Sequence, residues 1–146
     1  MSIPTDADLN AQSAALGQRL QQASLQLVTA ESCSGGWIAK CMTDIAGSSA
    51  FFVCGMVVYS YEAKQRLLGV RAQTLEQFGA VSRETVLEMV SGALVNSGAG
   101  IAVAVTGIAG PGGGCSSSMA TAKPSAGKPW RRHCAVSTPS CDMLLR

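Results

Sequence analysis

Ile101-Ala-Val-Ala-Val105 places five apolar residues in a row, bounded by Gly98 and Gly100 on one side and by Thr106-Gly107 on the other. A strand with one wet face alternates apolar and polar residues, whereas an unbroken run belongs to a strand covered on both faces. Such a strand needs helices above and below it, and the chain supplies them. Asp6 to Gln22 reads as a helix with Leu9, Leu16 and Leu20 on one side, and Leu25 to Val28 as a short strand. Trp37, Ile38, Cys41, Met42 and Ile45 recur with helical spacing, and the helix closes near Asp44. Gly47-Ser48-Ser49 turns the chain into a strand over Phe51–Ser60, and Tyr61–Leu68 and Thr74–Phe78 follow as helices. Ser82 is a plausible N-cap for a helix burying Val86, Met89, Val90, Ala93 and Leu94. The predicted class is α/β: a layered sandwich with a central sheet flanked by helices, whose sites gather at strand ends.

Composition narrows the function classes. The chain has 146 residues, 47% of them apolar and 14% charged, which suits one compact domain and excludes a disordered chain. The net charge of +2 owes much to Lys123, Lys128, Arg131, Arg132 and Arg146, so the body is mildly acidic and no nucleic-acid partner is expected. Met1–Gln12 has no basic leader region and no apolar run reaches spanning length, so no membrane partner is expected either. Cys33, Cys41, Cys54, Cys115, Cys134 and Cys141 form no C-x-x-C pair, and His133 is the single histidine. That spacing argues against a zinc site or a disulfide framework. No residue pattern calls for another cofactor and none is expected, and reduced thiols suit a cytoplasmic protein.

Three polar clusters fall at or beside strand ends. Thr29-Ala-Glu-Ser-Cys-Ser-Gly-Gly36 is a strand-to-helix junction of small and hydroxyl residues, whose helix-start N–H groups favour an anion. Ser48 and Ser49 precede the second strand, and Tyr59 and Lys64 follow it. Thr106 opens the glycine loop Gly107–Gly114. Serines together with a lysine point to acyl or amide chemistry by a Ser–Lys dyad, with the lysine pKa brought down from about 10.4 by burial. Gly-rich turns offer backbone donors for an oxyanion. Each residue also has a plain structural use, as helix cap, strand aromatic or solvated lysine. The loop Gly110-Pro-Gly-Gly-Gly114 lacks the Gly-Lys-Ser/Thr of a phosphate loop. Residue chemistry leaves Ser32, Ser48 and Ser49 open as nucleophile.

Six ordered motifs together resemble the CinA C-terminal domain family: TAESCSGG at 29–36, DIAGSS at 44–49, YSYEAK at 59–64, LLGV at 67–70, GAVS at 79–82 and TGIAGPGGG at 106–114. The resemblance covers about Asp6 to Gly114, and Tyr61 stands where the family commonly has asparagine. It implies a metal-independent amidohydrolase that converts nicotinamide mononucleotide to nicotinate mononucleotide and ammonia. It further implies Ser49 as nucleophile, Lys64 as general base and Tyr59 beside them as the catalytic set. Ser32, Ser34, Gly35, Gly36, Thr106, Gly107 and Gly113 are then the substrate-binding walls. The partner it implies is a small nucleotide substrate, with a homo-oligomeric assembly common in the family. The rival readings are a non-catalytic nucleotide-binding or oligomerising module of the same family, and an inactive pseudogene product.

After Gly114 the resemblance stops. Residues 1–114 are expected to be the amidohydrolase domain, truncated at its C-terminal part, and residues 115–146 an aberrant tail without strand or helix period. A shifted reading frame starting in the Ser118 codon can encode a helix resembling the one that closes the family's fold, so the tail is expected to be an out-of-frame stretch. Losing a central strand and the closing helix exposes an apolar sheet edge, and weak or no activity is the expected consequence.

Overall fold

The computed structural model describes residues 4–108, 117–122 and 135–137. Helix α1 (Asp6–Gln22) starts at a reciprocal cap: Asp8 N–H donates to Thr5 Oγ1, and Thr5 N–H donates to the Asp8 carboxylate at 2.8 Å. Strand β1 (Leu27–Glu31) leads through the Ser/Gly junction to helix α2 (Trp37–Thr43), and a single 3-10 turn at Ser48–Ala50 precedes strand β2 (Phe52–Val57). Helices α3 (Tyr61–Leu68), α4 (Ala72–Phe78) and α5 (Arg83–Ser97) follow, then strand β3 (Ile101–Gly107). Strands β4 (Ser117–Ala122) and β5 (Ala135–Ser137) complete a sheet of order β2-β1-β3-β4-β5.

The α/β sandwich expected from the apolar run is the fold observed. β1 pairs in parallel with β2 and with β3, so the C-terminal ends of all three lie at one edge of the layer, whereas Ser48 and Ser49 precede β2 at the opposite edge. Along β1 the side chains alternate between two cores. Val28 and Ala30, with Ala102 and Ala104 of β3, meet Val86, Met89, Val90, Ala93 and Leu94 of α5. Leu27, Phe52 and Val103 meet Leu20 of α1 and Met42 of α2 on the other face. By the two-residue period, Thr29 and Glu31 belong to the second face, the one that α2 covers. α5 lies close to the end of α3: a Cβ added at Gly92 would stand 1.9 Å from the Leu68 carbonyl oxygen.

Three expectations need correction. β1 begins at Leu27 rather than Leu25 and runs on to Glu31, because Thr29–Glu31 find parallel partners on both sides. β2 ends at Val57, short of Ser60, where Ser60 caps α3 by accepting the Ala63 N–H at 3.1 Å. The sheet also continues past Gly114. β4 pairs antiparallel with β3 from Ala102↔Ala122 to Gly107↔Ser117, and β5 pairs with β4. β3 offers an open row of backbone donors and acceptors, and Ser117–Ala122 satisfies it despite its weak strand pattern.

Candidate active site

Lys64 and Leu68 lie four residues apart on the inward face of α3, and both are buried. A lysine at an i, i+4 core position must find partners for its ammonium, and Lys64, 1% exposed, has three. Its Nζ donates to the Val58 carbonyl at 2.8 Å and the Tyr59 carbonyl at 2.9 Å, and lies 3.0 Å from Ser32 Oγ. Burial holds the Lys64 pKa below the ordinary lysine value, while the nearby Cys33 sulfur acts in the raising sense. Burial likewise pushes the Cys33 thiol up.

The partner set suits a base. A neutral amine has two N–H donors and one lone pair. As an ammonium Lys64 donates to all three partners. Once neutral it has only two protons for the Val58 and Tyr59 carbonyls, which can only accept, and its lone pair is left for the Ser32 hydroxyl, the one partner that can also donate. Ser32 is itself held, 6% exposed, with its N–H on the Val105 carbonyl and its own carbonyl accepting from Gly35, both at 3.1 Å. Two strand ends and a helix thus bring Ser32 to Lys64 across 32 residues of sequence.

Ser49 is not brought to Lys64 within the chain. It is exposed, in the turn before β2, whereas Lys64 Nζ lies against the residues just after β2. The six residues of β2 separate the two, a length of roughly 20 Å at about 3.3 Å per residue. The physical reason is the parallel connection: α2 returns the chain to the start of the sheet, so Ser49 begins the strand whose far end faces Lys64.

The junction differs from an open anion cradle. The Glu31 carboxylate, fully buried, accepts from the Ile38 and Ala39 N–H groups at 3.0 and 2.8 Å and from the Thr29 and Ser34 hydroxyls at 3.0 and 2.7 Å. The first-turn donors of α2 expected to bind an anion are thus already engaged. Ser34 serves this carboxylate, and Gly35 and Gly36 form the left-handed turn with φ of 63° and 97°, a conformation that suits glycine. Ser34 and the two glycines therefore shape the site from behind.

Tyr59 contributes its carbonyl to Lys64, while the residue as a whole is 67% exposed. Thr106 is buried with its hydroxyl turned to the Ala80 carbonyl at 2.8 Å, so it ties β3 to the loop before α5. Gly107 ends β3 half-buried, and Gly113 lies outside the described residues. An apolar cavity of about 360 Å³ between α1 and α2, lined by Leu9, Leu16, Trp37 and Met42 among others, touches Ser34 but neither Ser32 nor Lys64. Among the described residues no cluster of His, Cys, Asp and Glu could hold a metal ion.

Sequence reasoning placed Glu31 in the right cluster without giving it a role, and it missed the Val58 carbonyl altogether. A backbone acceptor has no sequence signature. Glu31 had one: a carboxylate at the end of a buried strand, just before a helix whose Gly36 cap has no side chain.

Comparisons with known proteins agree with this architecture. The sequence profile of the CinA C-terminal domain matches residues 9–121. Nicotinamide-nucleotide amidohydrolase PncC of Escherichia coli is 54% identical over 110 residues, covering 75% of this chain and 67% of that protein. The competence/damage inducible protein CihA from Agrobacterium tumefaciens superposes with a TM-score of 0.75 at 46% identity, over 84% of this chain and 78% of that one. The competence damage-inducible protein A of Klebsiella pneumoniae gives 0.80 at 36% identity, over 88% and 80%. With its sandwich, its ordered motifs and a matching profile over most of its length, this chain belongs to the CinA C-terminal domain family.

Proposed function

We propose that the chain is an amidohydrolase that converts nicotinamide mononucleotide to nicotinate mononucleotide and ammonia by a Ser–Lys mechanism. The observation that carries the chemistry is a buried Lys64 amine with two carbonyl acceptors and one serine hydroxyl at 3.0 Å. Support for the substrate comes from the relative in Escherichia coli that bears the name nicotinamide-nucleotide amidohydrolase. In this reading the Ser32 oxygen attacks the carboxamide carbon as Lys64 takes its proton. Lys64 returns that proton to the departing nitrogen, ammonia leaves, and the acyl group remains as an ester on Ser32. Water, deprotonated by Lys64, then attacks the ester carbon, Lys64 passes that proton to the departing Ser32 oxygen, and the carboxylate is released. The glycine loop after β3 is the proposed far wall of the site, with residues 1–114 as the core of the domain. A cytoplasmic setting and a homo-oligomeric assembly belong to the same proposal, the former supported by the free thiols of Cys33, Cys41 and Cys54.

Ammonia release from nicotinamide mononucleotide tests it. Ser32→Ala and Lys64→Ala are each expected to lower kcat by about a thousandfold or more, in line with loss of a nucleophile or its base. Ser49→Ala is expected to stay near the parent rate. The reverse pattern, with Ser49→Ala inactive and Ser32→Ala active, would move the nucleophile to Ser49 and require a second copy to bring it to Lys64. Nucleotide binding without turnover in the parent chain would leave the non-catalytic module as the better reading. A robust parent rate would overturn the expectation of weak activity drawn from the tail.

A further inference from the structure

Glu31 is the one fully buried acid among the described residues, and the mechanism above does not use it. Its four donors come from both sides of the candidate nucleophile: Thr29 precedes Ser32, and Ser34, Ile38 and Ala39 follow it. Four donors fill the capacity of the two carboxylate oxygens. The Gly36 cap of α2 makes no side-chain hydrogen bond, so Glu31 supplies the cap that the helix lacks. That ties the end of β1, the 32–36 turn and the first turn of α2 into one unit. Ser32 rides on this unit, while Lys64 comes from α3 on the opposite side.

We propose that Glu31 is a positioning residue: its carboxylate, serving as an internal cap for α2, fixes the turn that holds the Ser32 hydroxyl against the Lys64 amine. The inference rests on Ser32 and Lys64 being the reacting pair, as proposed above. A glutamine at the same place keeps the volume but turns two N–H donors toward a set of donors. Half of the acceptor capacity is lost, and the turn is free to shift. A shift of about 1 Å at a nucleophile is enough for a loss of about a hundredfold.

The test uses Glu31→Gln and Ser34→Ala, with two readouts. The first is kcat and KM for nicotinamide mononucleotide. The second is the rate at which an aryl sulfonyl fluoride sulfonylates Ser32, mapped by peptide mass spectrometry, which requires no knowledge of the substrate. Glu31→Gln is expected to melt cooperatively, lose about a hundredfold in kcat with KM within about threefold, and lose labelling in the same proportion. Ser34→Ala removes one of the four donors and is expected to lose about three- to tenfold in labelling, which decides the matter if Glu31→Gln does not fold. Parent-rate labelling in a folded Glu31→Gln, or in Ser34→Ala where Glu31→Gln does not fold, overturns the inference. So does labelling of Ser49 in place of Ser32 in the parent chain. A parent chain that is labelled at Ser32 yet releases no ammonia defeats the substrate reading alone, and the labelling ratio still decides the role of Glu31.

Discussion

At the scale of single residues, Lys64 carries the most consequence. Its pKa is lowered first by burial, so the neutral amine persists to lower pH than in an exposed lysine. Activity should therefore rise with pH and level off below the ordinary lysine range, because the base must be unprotonated. Stability should move the same way. Between the lowered folded value and the unfolded value the unfolded chain binds more protons, so unfolding becomes harder as pH rises through that window. The pH dependence of kcat/KM, with urea midpoints taken at the same pH values, checks both. A rate limb at the exposed-lysine value would contradict the role given to Lys64. Lys64→Arg should be inactive at every pH, since a guanidinium does not release its proton.

The elements show how such a residue is held in place. α3 presents Lys64 inward because α5 lies tightly on the end of the same helix, and Gly92 permits that approach. Alanine at 92 would meet a backbone carbonyl at 1.9 Å, a clash that no rotamer change relieves. Gly92→Ala should cost about 2 kcal/mol or more in a urea titration and lower kcat as α3 shifts. Thr5→Ala, which removes only the exposed reciprocal cap of α1, should cost about 1 kcal/mol and leave kcat unchanged. A comparable kcat in the two variants would show that α3 does not depend on α5 for its placement. The Arg71 backbone N–H, the Arg71 guanidinium and the Thr74 hydroxyl all donate to the Glu88 carboxylate and tie α4 to α5 nearby. Burial acts to raise the Glu88 carboxyl, but these hydrogen bonds, the backbone one foremost, together hold it below its usual range.

For the whole molecule the question is where the folding unit ends. Residues 1–114 carry the recognisable motifs, yet β3 is paired along its length by β4, and β4 by β5. A chain ended at Gly114 leaves β3 as a sheet edge, with Val103 and Val105 next to unpaired backbone. It should lose the cooperative melt and bind a hydrophobic dye, whereas the full chain should melt in one transition. Equal melting of the two would make 1–114 a self-sufficient domain. Gene sequence across the Ser118 codon tests the proposed frame change, and a shifted frame that cannot encode the closing helix rejects it.

Local pattern was enough for much of this protein. Ile101–Val105 announced a doubly covered strand because no polar residue interrupts it, and Ser82 announced α5 because a hydroxyl followed by an apolar stripe is a helix start. Lys64 could be read from the sequence either as a base or as a solvated helix residue, and only the fold shows it buried beside Leu68 on the inward face of α3. Local pattern failed where the partner was remote or made of backbone. Ser117–Ala122 has little strand character of its own and becomes a strand because β3 offers it hydrogen bonds. Three hydroxyls near glycines looked equivalent in the sequence, and only the parallel crossing of β1 and β2 set Ser32 against Lys64 and sent Ser49 to the other end of the sheet. Sequence determined the elements, since their periods and caps are local. Tertiary structure decided which serine meets the lysine, and closed the α2 N-terminus with Glu31, because both depend on which strand ends lie side by side.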